Sequence, residues 1–272
     1  MTRTAPVTHF TPPRSTEPHP TDAYSEIVSR LAGAQKKRTR GAPAYSVYVN
    51  RKVGRYLAAA AYKLGLTPNA VTAISAVFTF SGIAMLAILP PTWWLGVAVW
   101  FALALGYALD SADGQVARLR GGGSPSGEWL DHVIDATKIS TLHLAVLVTA
   151  YRFFDLPSQA LLLIPIAYTV VAAVAFFAII LNDQLKRVYG TDTPAPNGHS
   201  TLLRSLLVIP TDYGFLCMIF LLLGSPYLFF AVYTLMFVAN SGHLLLASIK
   251  WFGDMGRLGA DVEHPAPTVI RS

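Results

Sequence analysis

The stretch Asp110-Ser-Ala-Asp-Gly-Gln-Val-Ala-Arg118 stands at the end of an apolar run, and Gly127-Glu-Trp-Leu-Asp-His-Val-Ile-Asp135 follows it after a glycine-rich turn. The two aspartates of the first stretch are three residues apart and those of the second are four apart, so each pair lies on one face of a helix. A short turn joins two such helices as antiparallel neighbours. The sequence therefore predicts that four carboxylates converge at one end of a helical hairpin: Asp110, Asp113, Asp131 and Asp135.

The composition around this hairpin is that of a membrane protein. Of 272 residues, 53% are hydrophobic and 13% are charged, against about 25% charged in an ordinary soluble domain. The mean hydropathy is +0.45, and the apolar residues come in long runs, which excludes a typical soluble enzyme. The expected fold class is an all-α integral membrane protein with six transmembrane helices and an N-terminal amphipathic juxtamembrane helix.

Six apolar spans each have about the 20 residues that a hydrocarbon core of about 30 Å requires. They cover residues 69–89, 92–109, 136–154, 158–181, 205–223 and 226–249. We expect these spans to form one domain over residues 67–250, followed by a cytoplasmic tail over 251–272.

The residues before the first span are predicted to form two segments. Residues 1–43 are rich in proline and basic residues and contain no apolar signal-peptide core, so we expect a disordered cytoplasmic segment. Residues 44–66 are expected to form an amphipathic helix on the membrane surface. Its apolar stripe consists of Tyr45, Val49, Val53, Leu57 and Leu64.

The basic residues predict the orientation of the spans. Six spans place both termini on one side, and of the 21 lysines and arginines only Arg152 falls on the other side. Loops rich in lysine and arginine stay in the cytoplasm. The termini, the aspartate hairpin and the 182–204 connection are therefore predicted to be cytoplasmic, and the expected location is the cell membrane.

Four converging anions next to a low-dielectric membrane require cations. Carboxylate oxygens are hard ligands that suit Mg²⁺ or Mn²⁺, and four of them suit two ions that hold a phosphate ester between them. The small residues Gly114 and Ala117 leave room for a flat base, and Arg118 supplies a fixed cation for a carboxylate or a phosphate oxygen.

The spacing Asp-x2-Asp-Gly-x2-Ala-Arg-x8-Gly-x3-Asp-x3-Asp resembles the signature of the CDP-alcohol phosphotransferases. All eight defining positions are met, by Asp110, Asp113, Gly114, Ala117, Arg118, Gly127, Asp131 and Asp135. The resemblance extends over about residues 44–250, through the six-span layout and the Thr67-Pro68-Asn69 start of the first span.

The resemblance implies a reaction in which an acceptor alcohol attacks a CDP-alcohol, expected to be a CDP-linked lipid such as CDP-diacylglycerol, and releases CMP. It implies that Asp110, Asp113 and Asp131 are metal ligands, and that Asp135 is the base and also touches a metal. The CDP-binding residues would be Asn69, Asp110, Asp113, Gly114, Ala117, Arg118 and Gly127. A homodimer is the common form in the family, and nucleic acid is not an expected partner.

The acceptor is harder to predict. Arg187, Arg204 and Asp212 belong to or flank the 182–204 connection and are candidates for binding a polar or phosphorylated head group. An isolated carboxylate within a span, such as Asp212, is costly unless paired. A sugar or polyol phosphate is one acceptor that fits such residues.

Two other classes remain open on sequence grounds. An aspartate-rich membrane prenyltransferase also binds diphosphate through Mg²⁺, but two separate aspartate-rich motifs and more spans would be expected. A divalent-cation transporter would place its carboxylates near the middle of the bilayer, whereas this cluster lies at a helix boundary.

Overall fold

The computed structural model describes residues 22–33, 45–189 and 211–263, and the regular elements in these ranges are helices. The α-helices are α1 (Tyr24–Gly33), α2 (Arg51–Lys63), α3 (Pro68–Ile88), α4 (Trp93–Leu119), α5 (Pro125–Phe153), α6 (Leu163–Val188), α7 (Tyr213–Ile219) and α8 (Pro226–Glu263). A π-helical turn, Ser46–Asn50, precedes α2, and 3-10 turns cover Gln159–Leu162 and Phe220–Leu222.

Five helical segments are long and apolar enough to cross a membrane. They are Pro68–Ile88, Trp93–Leu119, Pro125–Phe153, Gln159–Val188 and Pro226–Leu258. In place of the predicted span 205–223, the described residues form a shorter apolar segment, Tyr213–Leu222, and residues 205–210 lie outside the described ranges. The all-helical membrane class is confirmed, whereas the count of six spans is not.

The helices begin at side-chain caps that the sequence places there. Thr67 accepts a hydrogen bond from the Ala70 amide ahead of Pro68, and Ser124 accepts one from the Gly127 amide ahead of Pro125. Both helices thus combine an N-cap hydroxyl with a proline in the first turn. The aspartate motif consequently lies on the helices themselves, since α4 continues to Leu119 and α5 already begins at Pro125.

Close approach of α3 and α4 anchors the first half of the motif. A Cβ built on Gly106 would lie 2.1 Å from the Thr79 hydroxyl, so only glycine permits this contact. The Ser75 hydroxyl donates to the Gly106 carbonyl oxygen at 2.8 Å. These contacts lie one turn before Asp110 and fix the helix that carries it.

A buried polar network joins α5, α6 and α8 further along the bundle. His143 lies 2.8 Å from the Tyr233 hydroxyl and stacks on the Tyr168 ring at 3.9 Å between centroids. The Asn240 amide donates to the Tyr168 hydroxyl at 2.9 Å. Hydrogen bonds of this kind hold transmembrane helices in register.

The prediction that residues 1–43 are disordered is wrong for residues 24–33, which form α1. Ile27 and Leu31, one helical turn apart, are 0% and 2% exposed. They pack in one cluster with the alanine face of α2, which includes Ala58 and Ala59. Burial of these two apolar side chains stabilises α1, although the residues around them are mostly polar.

The segment predicted as an interfacial helix over 44–66 contains α2, but its buried face is not the predicted stripe. The small residues Gly54, Ala58 and Ala59 are buried, whereas Val53 and Leu64 of the stripe are 44% and 76% exposed. The alanines pack against the neighbouring helices because their small side chains allow close helix contact. The exposed residues of the stripe face away from the protein core. A position on the membrane surface remains a prediction.

The last helix also differs from the predicted boundary. α8 continues beyond residue 250 to Glu263, so the first part of the predicted tail 251–272 is helical. Lys250 and Asp254 form an (i, i+4) ion pair at 3.6 Å, which supports the helix where the apolar run ends.

Candidate active site

The site lies where the end of α4 and the start of α5 meet. The turn between these helices contains Gly121 and Gly122, whose φ angles are +87° and +134°. Residues with a side chain rarely adopt such angles. The glycine-rich stretch therefore reverses the chain between the two aspartate pairs.

Three of the four predicted carboxylates meet in one cluster. Asp110 from α4 and Asp131 and Asp135 from α5 each present an oxygen, and these oxygens lie within 4.8 Å of one another. All three residues are partly buried. Such a group of hard oxygen donors fits a Mg²⁺ or Mn²⁺ ion.

The fourth carboxylate, Asp113, is held slightly apart from this cluster. It accepts a hydrogen bond from the Thr72 hydroxyl at 2.6 Å and another from the Gly114 amide, and it is 8% exposed. Thr72 was not predicted from the sequence. The one sequence feature that could have identified Thr72 is its position in the first turns of α3, close to the Thr67-Pro68-Asn69 start.

Lys138 is the second residue that the sequence analysis missed. Counted only as a cytoplasmic positive charge, it lies instead at the cluster, with its Nζ 3.3 Å from Asp110 Oδ1 and in an ion pair with Asp135. Its side chain is 6% exposed. A lysine one helical turn after Asp135, on the face of the aspartates, was the available signal.

A cleft of about 990 Å³ opens beside the carboxylates. Helices α3, α4, α5 and α6 contribute its walls. Its lining includes six of the seven predicted CDP-binding residues, Asn69, Asp113, Gly114, Ala117, Arg118 and Gly127, together with Asp131 and Asp135. Six of the predicted nucleotide residues thus share one cavity with three of the four predicted metal ligands, Asp113, Asp131 and Asp135.

The two motif glycines have different roles in this cleft. A Cβ on Gly114 would meet only the end of the Arg118 side chain, at 3.8 Å, so packing within the protein does not require glycine there. A Cβ on Gly127 would lie 3.0 Å from the Asn69 side-chain oxygen. Gly127 therefore permits close contact between α5 and α3, and Gly114 leaves open space in the cleft.

The residues predicted to bind the acceptor do not form one group. Arg187 lines the cleft, and its Nη1 lies 2.7 Å from Glu128 Oε1. Asp212 caps α7: its oxygens accept hydrogen bonds from the Gly214 amide at 3.0 Å and the Tyr45 amide at 2.7 Å. The backbone thus supplies the partners that a buried carboxylate needs. Arg204 lies outside the described residues.

The sequence of this chain matches the model of a known protein family. The family model described as CDP-alcohol phosphatidyltransferase matches residues 65–240. Phosphatidylinositol phosphate synthase from Corynebacterium glutamicum is 40% identical over 101 residues. That match covers 36% of this chain and 43% of the relative, so it spans less than half of the curated protein.

Two solved structures are similar to this chain over most of its length. Mycobacterium tuberculosis phosphatidylinositol phosphate synthase in complex with manganese and citrate gives a TM-score of 0.48 at 17% identity, covering 79% of this chain and 91% of that one. The same enzyme with CDP-DAG bound gives 0.45 at 16% identity, covering 82% and 98%.

Proposed function

We propose that this chain, which belongs to the CDP-alcohol phosphatidyltransferase family, is a membrane transferase of phospholipid or polar-lipid biosynthesis. It moves a phosphoalcohol group, here a phosphatidyl group, from a CDP-alcohol to an acceptor alcohol and releases CMP. The observation that carries the proposal is the cluster of Asp110, Asp131 and Asp135, with oxygens within 4.8 Å, beside a cleft that contains the rest of the motif.

Asp110, Asp113, Asp131 and Asp135 would hold Mg²⁺ or Mn²⁺, with two ions as the predicted number. The donor set of carboxylate oxygens fits these ions. When bound, the ions neutralise the charge of the diphosphate and stabilise charge that develops during transfer. The hydrogen bond from Thr72 keeps one carboxylate oxygen of Asp113 oriented from α3.

Asp135 is the proposed general base. An attacking alcohol must lose its proton, and a positioned carboxylate can accept it. Asp135 lies one turn further into the membrane-spanning part of α5 than Asp131, and it lines the cleft. It can therefore contact both the metal site and an alcohol that approaches the donor.

The donor is a CDP-linked lipid, with CDP-diacylglycerol as the leading candidate. The open space at Gly114 and the small side chain of Ala117 admit a cytidine ring against α4. Arg118 and Asn69 line the same cavity and offer polar contacts to the nucleotide. A lipid-linked donor also agrees with a site at the end of apolar helices.

The acceptor is proposed to be a polyol phosphate of the inositol phosphate type. The Corynebacterium glutamicum relative, a phosphatidylinositol phosphate synthase that is 40% identical over the matched segment, supports this class. Arg187 and Arg204 are the candidate phosphate-binding cations, with Asp212 as a further candidate. Arg187 forms an ion pair with Glu128 in this structure, so it would have to break this pair in order to bind the phosphate of the acceptor.

The location and assembly are proposals as well. The distribution of lysine and arginine supports an active site on the cytoplasmic face of the cell membrane, with both termini on that side. A homodimer is proposed from the family resemblance.

The test is CMP release by purified protein. The protein would be incubated with CDP-diacylglycerol, Mg²⁺ and, in turn, inositol phosphate, glycerol phosphate, inositol, serine and lipid alcohols. We expect CMP only when an acceptor is present, with inositol phosphate the best. Asp131→Asn should abolish release, whereas Asp254→Asn, in α8 and outside the cleft lining, should not.

Three results would contradict the proposal. The first is no CMP with any acceptor; the second is diphosphate release from a prenyl diphosphate, which would identify a prenyltransferase. The third is Mg²⁺ movement across vesicles in the absence of CMP release, which would identify a transporter.

A further inference from the structure

Lys138 is placed where a lysine is rarely found. Its side chain is 6% exposed and lies in the membrane-spanning part of α5. Lysine is almost never buried unless it is paired, and removal of an ammonium group from water is costly. Its position therefore requires a specific partner.

The partners of Lys138 come from both helices of the hairpin. Its Nζ lies 3.3 Å from Oδ1 of Asp110 on α4 and pairs with Oδ1 of Asp135 on α5. The ammonium group also lies 5.4 Å from the centre of the Tyr213 ring. One cation thus bridges two of the three clustered carboxylates and is covered by an aromatic ring.

We propose that Lys138 is a resident counter-ion of the carboxylate cluster, which holds Asp110 and Asp135 together in the metal-free protein and competes with the divalent cation for their oxygens. This inference rests on the proposed function, in which these aspartates are metal ligands. Without Lys138, clustered carboxylates within 4.8 Å would repel one another. With it, the site keeps its shape before a metal arrives.

The proposal has two consequences of opposite sign. Loss of the lysine should lower the stability of the metal-free protein, because the carboxylates lose their counter-charge. The same loss should strengthen metal binding, because a positive charge next to the ion and a competitor for its ligands are both removed. A lysine that only fills space would produce the first effect and not the second.

The experiment uses Lys138→Met in the full-length protein, with Mn²⁺ as the probe. Free Mn²⁺ would be measured by electron paramagnetic resonance, and the melting temperature would be measured in chelator and in saturating Mn²⁺. We expect Mn²⁺ to bind at least about 10-fold more tightly to the variant, since a unit charge about 5 Å from a divalent ion costs this much even in water. In chelator the melting temperature should be at least about 5 °C lower for the variant than for the wild type. In saturating Mn²⁺ most of this difference should disappear.

Two further variants separate charge from packing. Lys250→Met removes a lysine from an exposed ion pair on α8 and should change neither quantity. The double variant Asp110→Asn/Lys138→Met removes one carboxylate with the lysine, and it should melt in chelator at a higher temperature than Lys138→Met. If the double variant is as unstable as the single one, or if neither folds, Lys138 acts through packing and the inference is overturned.

The inference can fail while the proposed function stands. Unchanged Mn²⁺ affinity in Lys138→Met, together with normal binding by the wild type, would overturn the competition alone. Absence of Mn²⁺ binding by the wild type would overturn the proposed metal site, and the competition with it.

Discussion

At the scale of single residues, Asp135 allows binding to be separated from chemistry. Asn at this position keeps the size and one oxygen but cannot accept a proton. We expect Asp135→Asn to bind the CDP-lipid with Mg²⁺ but to release CMP at least about 10²-fold more slowly, the low end for loss of a positioned base. Calorimetric titration and a CMP assay on one preparation measure both.

The main alternative for Asp135 makes a different prediction. If this residue is chiefly a metal ligand, donor binding and rate will fall together, and added Mg²⁺ will partly restore both. Wild-type turnover by the Asn variant would remove Asp135 from the mechanism.

Ala117 tests where the base of the donor lies. Leucine at this position adds three carbon atoms to the cleft wall, and an occupied site absorbs such volume poorly. Ala117→Leu should therefore raise the KM for CDP-lipid by at least about 10-fold while the protein remains folded and inserted. An unchanged KM would place the cytidine ring elsewhere, and Ala104→Leu, on the preceding part of the same helix, serves as a folding control.

The sequence predicted the meeting of three of the four carboxylates but not the residues that contact them. The spacing of Asp110, Asp131 and Asp135 follows the helical repeat, so their convergence was predictable. Whether the side chains of Thr72 and Lys138 reach the aspartates of α4 depends on how α3 and α5 are rotated about their own axes. That rotation is set by side-chain packing, which a single sequence does not reveal.

At the scale of elements, α1 is a helix that depends on docking. Ile27 is fully buried between α1 and α2, and truncation of such a side chain costs about 2–5 kcal/mol. A ten-residue helix is not stable alone, so Ile27→Ala should release it. We expect trypsin to cut after Arg30 much faster in this variant than in Ser29→Ala, which alters the exposed face. Equal cutting rates would show that α1 does not depend on this contact.

The first helices also show why periodicity alone misjudges short elements. In α2 the larger apolar residues form the more conspicuous stripe, but the alanines bury more completely because they allow α1 and α4 to come close. In α1 only two strongly apolar positions are buried, too few to stand out in a polar segment. Long apolar spans carry a stronger signal, and five of them were found with boundaries that differ mainly at the polar ends.

At the scale of the whole molecule, activity should depend on a divalent cation. Excess chelator should abolish CMP release, and Mg²⁺ or Mn²⁺ should restore it, because the carboxylates cannot hold a diphosphate without cations. The assay is the CMP measurement before and after metal is added back. Full turnover in excess chelator would exclude a metal-dependent mechanism.

Orientation in the membrane is the second whole-molecule prediction. Ser126, next to the aspartate turn, and Ser158, between α5 and α6, are both exposed and lie at opposite ends of α5. With Cys217, the single cysteine, replaced by Ala, an impermeant maleimide on intact cells should label Ser158→Cys and leave Ser126→Cys unlabelled. The reverse pattern would contradict a cytoplasmic active site.

The placement of the carboxylates and Lys138 on one helical hairpin has a consequence for biosynthesis. Chains are made from the N-terminus, so α3, α4 and α5 reach the membrane before α6 and α8 have been translated. The acidic residues therefore arrive with their own counter-charge, which lowers the cost of placing them at the bilayer boundary. The end of the molecule that carries the carboxylates can thus assemble during insertion, before the helices that complete the bundle have been made.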